Sequence, residues 1–412
     1  MSKLERLIAE LCPNGVEYKA LGDLGDFLGG LTGKSKDDFT DGNAKFITYR
    51  NIYSNPALKL DTDDSVKIAE GEKQRTLEYG DILFTGSSET PDECGISSVL
   101  TTKTEEKLYL NSFCFIFRFN NKDIMLPDFS KHLFRSNSLR CQIGKTASGV
   151  TRFNVSKKLM ANVSIPLPPL PIQREIVRIL DNFTELTTAL TTELTARKKQ
   201  YEYYQESLLS ICADAPIVHT KDVLTDKFWL MPATPHYVSK GIPYITSKNV
   251  RNGKISFEDV KYITEADYAE ISKNRAIKEN DLLITMIGTI GEAAFVEEFT
   301  EFYGQNIYLL RFDEMKCLKK FFYYYLSSAK VKSSLISKKN RSSQGYIKAG
   351  SIENLLIPLP SIAKQERIIS ILDKFDTLTT DITTGLPAEI EARNKQYEYY
   401  RNKLLTFEEE GA

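Results

Sequence analysis

Ile165-Pro166-Leu167-Pro168 recurs as Ile357-Pro358-Leu359-Pro360, and the residues after each copy align with one another. At an offset of 192, Gln173, Ile176, Ile179, Leu180, Asp181, Phe183, Leu186, Thr187 and Thr188 match Gln365, Ile368, Ile371, Leu372, Asp373, Phe375, Leu378, Thr379 and Thr380. Further on the offset is 196, where Lys199-Gln200-Tyr201-Glu202-Tyr203-Tyr204 matches Lys395-Gln396-Tyr397-Glu398-Tyr399-Tyr400. A period near 192 residues is too long for a solenoid. The chain is therefore a two-fold duplication of a domain plus a helix.

Both repeated segments come after proline-rich stretches and carry apolar residues at steps of three and four, the pattern of a helix with one buried stripe. In the first the stripe runs through Phe183, Leu186, Leu190, Leu194, Tyr201 and Tyr204; in the second, through Phe375, Leu378, Ile382, Tyr397 and Tyr400. Thr184 to Thr195 is three near-copies of Thr-x-Leu-Thr, so the heptad pattern stutters by four-residue steps. Gly385 and Pro387 should kink or restart the second helix. A helix from Gln173 to Ile211 would run about 58 Å. Threonine is a poor helix former, so such a helix needs a partner, and the economical one is the second helix, packed antiparallel.

The 412 residues exceed one ordinary core, and 42% hydrophobic with 26% charged residues excludes a disordered or fibrous chain. No stretch approaches the ~20 apolar residues of a membrane span. Met1 to Glu10 carries charges where a signal peptide has an apolar run, so the sequence reads as cytoplasmic. Six scattered cysteines and three histidines, without a CxxC pair, offer neither a disulfide framework nor a zinc site.

Net charge is −1, but its distribution is uneven. From Phe129 to Arg174 there are eight Lys and Arg residues and no acid, and from Met315 to Ile352 there are nine and no acid. Two basic runs at equivalent places in a duplicated chain predict surfaces that track phosphates. The globular parts, about Leu21 to Val163 and Pro216 to Leu355, show short apolar runs that read as strands: Asp81 to Phe84, Phe113 to Phe119, Leu282 to Thr285 and Ile307 to Phe312. They share an order of features but few side chains, as two readers of different sequences would.

Catalytic patterns are weak. Gly29, Gly33, Lys34 and Ser35 resemble the end of a phosphate loop, but Leu28 stands where its first glycine belongs. Asp92, Glu105 and Lys107 have the residue types of a Mg-dependent nuclease. The fold expected is α+β: two globular α/β domains separated by two long antiparallel coiled-coil helices, pseudo-two-fold duplicated. Its segments are 1–163, 164–212 (first long helix), 213–355 and 356–412 (second long helix).

The repeated Ile-Pro-Leu-Pro, Gln, Ile-Leu-Asp, Phe and Gln-Tyr-Glu-Tyr-Tyr strings, together with Leu11-Cys12-Pro13-Asn14-Gly15-Val16-Glu17-Tyr18, resemble the specificity (S) subunit of type I restriction-modification enzymes. The resemblance implies two target recognition domains, each reading half of a bipartite site in double-stranded DNA, and helices that dock two methyltransferase (M) subunits. It implies endonuclease/translocase (R) partners as well. S-adenosylmethionine, ATP and Mg then belong to those partners, and this chain binds no cofactor or metal and catalyses nothing. The alternatives are a Mg-dependent DNA nuclease and a non-catalytic coiled-coil adaptor.

Residue chemistry adds candidates that the resemblance does not. For phosphates these are Lys145, Arg152, Lys157, Lys158, Lys338, Lys339, Arg341 and Lys348. For base edges they are Tyr49, Arg50, Asn51, Lys248, Asn249, Arg251 and Gln344, which carry suitable donors or acceptors.

Overall fold

A computed structural model describes the chain apart from residues 1, 211, 213, 233–234, 298–300, 340–344, 381–383 and 412. It divides into two compact units, residues 1–189 with 391–412, and residues 190–390. The division falls inside a helix, and the first unit draws on both ends of the chain. The linear segments 1–163, 164–212, 213–355 and 356–412 do not express that sharing.

The first unit is built on strands β1 (Gly25–Gly29), β2 (Ile82–Thr85), β3 (Ser97–Val99) and β4 (Cys114–Phe119). They form an antiparallel sheet in the order β1-β4-β2-β3. Successive strand residues point to opposite faces, and both faces are covered, which is why these runs are continuously apolar. Phe84, Phe115, Phe117 and Phe119 face α2 (Pro127–Leu133), α3 (Asn137–Gly144) and the start of α4 (Leu170–Ser210). Leu83, Cys114 and Ile116 face the opposite way, onto a second cluster that includes Ile52 of α1 (Tyr49–Ser54). Each fully buried side chain of this size contributes about 1.5–3 kcal/mol.

The second unit repeats the plan with β5 (Leu224–Leu230), β6 (Leu282–Thr285), β7 (Ala293–Phe295) and β8 (Ile307–Phe312), in the order β5-β8-β6-β7. Leu282, Ile284, Tyr308 and Leu310 meet α5 (Lys319–Ser327) and α6 (Ile362–Thr380). Leu283, Ile307 and Leu309 line the other cluster. A further helix, α7 (Leu386–Leu404), comes after α6. The second long helix is thus two helices, with Pro387 in the first turn of α7 where a missing N–H costs nothing.

The repeated motif residues are the joints of both units. Gln173 and Gln365 are fully buried. Gln173 accepts from the Leu126 N–H (2.8 Å) and donates to the carbonyls of Ile124 and Pro168. Gln365 accepts from the Leu318 N–H (2.8 Å) and donates to the carbonyls of Lys316 and Pro360. Each glutamine ties its long helix to the strand-to-helix corner of its own domain. Asp181 takes Lys131 and His132 as donors, and Asp373 takes Lys320 and Tyr324.

The predicted helical stripe divides into several roles. Phe183 stacks on Tyr400 at 5.3 Å within the first unit, and Tyr204 on Phe375 at 5.3 Å within the second. Tyr397 instead meets His132, and Tyr201 joins the second unit's core. Leu190, Leu194 and Leu378 are half-buried, whereas Leu186 is 52% exposed and lies off any seam. Ile382 lies outside the described residues. Threonines along α4 send their hydroxyls to carbonyls four residues back, as Thr187 does to Phe183 (2.9 Å) and Thr195 to Thr191 (2.9 Å), which satisfies those hydroxyl donors within the helix. Among the described residues no helix is long and apolar enough to cross a membrane.

Candidate nucleic-acid interface

A shared backbone frame spans β2 of the first unit and β6 of the second from end to end. Gly80 (φ 91°) and Asn280 (φ 71°) take left-handed conformations before Asp81 and Asp281. Each of these buried aspartates grips an arginine of the fourth strand through two oxygens, Arg118 at 2.7 and 2.6 Å and Arg311 at 2.8 and 2.8 Å. At the far end of the strand, Thr85 Oγ1 accepts from the Ile96 N–H (2.9 Å), and Thr285 Oγ1 from the Glu292 N–H (3.0 Å). Gly86 and Met286 then donate to the carbonyls of Phe113 and Asn306.

In the first unit this frame carries an open cleft of about 590 Å³. Tyr49 and Tyr53, one turn apart on α1, stack at 6.1 Å. The Tyr49 hydroxyl donates to the Ser87 carbonyl (3.0 Å), and burial pushes its pKa up. The Tyr53 hydroxyl donates to Glu93 (2.7 Å), and this bond, with a second from Ser88, holds the Glu93 carboxyl below the usual range. Exposed Phe113 and Glu89 complete the walls. Arg152 closes the cleft from the hairpin formed by Ala147–Ser148 and Phe153–Val155, its Nε donating to Ser87 Oγ (3.1 Å). The turn of that hairpin needs glycine at 149: at φ 151° a Cβ would sit 2.0 Å from the Arg152 carbonyl oxygen.

Not all of the basic run faces solvent. Arg135 is largely buried and donates to the carbonyls of Ser97, Ile52, Tyr53 and Asn55, the last three at the C-terminal end of α1. Burial lowers its pKa to about 10, so it remains a cation facing the negative end of the helix. Arg140 donates to the carbonyls of Asp92, Cys94 and Gly95. Lys131 is paired with Asp128 and Asp181. These three cations hold the fold, contrary to the reading of the run as one phosphate-tracking surface. Lys145, Arg152, Lys157, Lys158, Lys338, Lys339 and Lys348 are exposed, and Arg341 lies outside the described residues.

Of the base-edge candidates, Tyr49 lines the cleft and Arg50 is exposed on α1. Asn51 is occupied: its amide bonds both the N–H and the carbonyl of Lys59, fixing the loop after α1. Asn249 is 5% exposed and its amide is engaged by Thr246 and Glu258, so neither asparagine presents its amide outward. Lys248 and Arg251 are exposed, and Gln344 lies outside the described residues. Sequence reading missed Tyr53, Phe113, Glu89 and Glu93. Aligning the two halves on Asp81/Asp281 and Thr85/Thr285 would have brought out the positions that the frame displays.

The residues of the catalytic alternatives have other places in the fold. Lys34 is bonded to Glu72 and the Lys67 carbonyl, so it is not set over a phosphate loop. Asp92 lies in the 3-10 turn Pro91–Glu93 and Glu105 in the loop before strand Leu108–Leu110. Among the described residues no three His, Cys, Asp or Glu side chains are grouped to hold a metal.

The family model of the type I restriction modification DNA specificity domain matches this chain twice, over residues 13–198 and 224–392. The chain belongs to that family. The Escherichia coli EcoR124I/EcoR124II type I restriction enzyme specificity subunit is 36% identical over 268 residues, spanning 61% of this chain and 65% of that one. The fold is similar to that of a type I restriction-modification S subunit from M. genitalium, with TM-score 0.53 and 14% identity over 95% of this chain and 96% of that one. It is also similar to a chain from a structural study of type I restriction-modification complex assembly, with TM-score 0.60 and 16% identity over 95% and 98%. The fold class expected from the duplication is the one observed.

Proposed function

We propose that the chain is the DNA sequence-recognition subunit of a type I restriction-modification complex, non-catalytic in itself. Each domain reads one half of a bipartite double-stranded site, and the long helices set the spacing and dock two methyltransferase subunits, with endonuclease/translocase subunits completing the assembly. S-adenosylmethionine, ATP and Mg serve those partners, and the complex works in the cytoplasm. The observation that carries this reading is one frame built twice with different side chains on display. Phe113 stands where Asn306 does in the second unit's frame, and Tyr49 opens the helical turn after Thr48 as Ser247 does after Thr246. A shared scaffold fixes docking to a repeated duplex, and divergent edges fix sequence.

The test compares a duplex library bound by the chain alone and by its complex with methyltransferase subunits. Weak, salt-sensitive binding alone and selection of a two-part sequence by the complex are expected. Selection of a single undivided sequence, or none, overturns the proposal.

A further inference from the structure

We infer that the cleft of the first unit is its base-reading site, with Arg152 set to read a guanine and Phe113 a neighbouring thymine methyl. This rests on the proposed function and names the chemistry by which one half-site is read.

The cleft is a built site. Arg135 pins the end of α1, Arg140 pins the backbone from Asp92 to Gly95, and Glu93 joins that segment to Tyr53. Its walls are thereby fixed before any ligand arrives, which is what discrimination between base edges requires. The Nε contact to Ser87 orients the Arg152 guanidinium and leaves the two Nη groups as the donor pair that matches guanine O6 and N7.

Phosphate is a poor occupant. Glu89 and Glu93 put two carboxylates in the cleft, and a phosphate entering it would meet both. A base edge presents amino donors as well as acceptors, and a carboxylate accepts from the cytosine amine that pairs with the guanine. Phe113 is 65% exposed beside these polar groups. An aromatic face left open to water there suits a methyl group. Exposed Lys145, Lys157 and Lys158 supply cations outside the cleft for the flanking phosphates. In the second unit Asn306 replaces Phe113 in the frame and Ser247 replaces Tyr49 at the start of the helical turn, so the inference concerns the first half-site alone.

The test uses the full chain with its methyltransferase subunits, a randomised duplex pool, and sequencing of the bound duplexes at two salt concentrations. The wild type should select a guanine in one half-site. Arg152→Gln should replace that guanine by adenine, the base that a glutamine grips, or lose roughly ten-fold or more in discrimination there. The other half-site and the salt slope should be unchanged. Phe113→Ala should relax an adjacent thymine. Lys157→Gln is the comparator: it should weaken all duplexes alike and flatten the salt slope. If Arg152→Gln behaves as Lys157→Gln does, with its consensus intact, Arg152 is a phosphate contact and this inference fails alone. If the wild-type complex selects no bipartite sequence, the proposed function fails and this inference with it.

Discussion

Arg135 shows at the level of one side chain how a sequence can mislead. In a run of 46 residues without an acid it counts as surface charge, yet it spends its guanidinium on four carbonyls. The run reads as basic although two of its arginines, Arg135 and Arg140, are spent on backbone carbonyls, which composition does not register. Arg135→Leu should cost about 3 kcal/mol in urea unfolding, because buried carbonyls lose their donor. A loss below about 0.5 kcal/mol, the range of ordinary surface substitutions, would show that the helix end is held by other means. His132 makes a second test. Burial pushes its pKa below the ordinary imidazole value, although Asp181 opposes this and Lys131 adds to it. Below the ordinary value the unfolded chain takes up a proton that the folded unit refuses. The first unit should therefore lose stability as pH falls from 7 towards 5. His132→Tyr, copying Tyr324 of the second unit, should flatten that loss. Amide exchange localised to the first unit reads it, and an unchanged pH dependence in the variant would rule out His132 as its source.

At the level of elements, the sequence displayed its joints but not its reading edge. Gln173 and Gln365 recur because each makes the same three bonds in a dry corner, a demand no other side chain of that length meets. The strands were legible because both sheet faces are buried. The cleft was not, because Tyr53, Glu93, Phe113 and Arg152 are far apart in the chain, obey no period, and come together only through the frame. Gln173→Ala and Gln365→Ala should each cost roughly 2–4 kcal/mol, by leaving a buried N–H and two carbonyls unpaired. Equal losses are expected because the geometry is equal. Urea titration of both variants checks this, and a neutral result for either would show that its corner is clamped elsewhere.

For the whole molecule, the division between units falls at Ala189/Leu190, inside the Thr-x-Leu-Thr repeats and within an unbroken helix of 41 residues. An added repeat there enters neither core. It lengthens α4 by about 6 Å and turns the C-terminal part of that helix by about 40° beyond a full turn. Folding should survive, and methylated sites mapped with the reconstituted complex should have half-sites about one or two base pairs further apart, at 3.4 Å per base pair. Unchanged half-site bases with a longer gap are expected; a fixed gap would mean that α4 is not the ruler.

The first unit takes its last pieces from residues 391–412, among them Tyr397, Leu404 and Leu405 in its core. The second unit is a continuous stretch, residues 190–390. During translation the second unit is therefore complete while the first still waits for its closing helix. The half that emerges first from the ribosome is the half that finishes last, and until then its unfilled apolar corner around His132 is the surface that chaperones would meet.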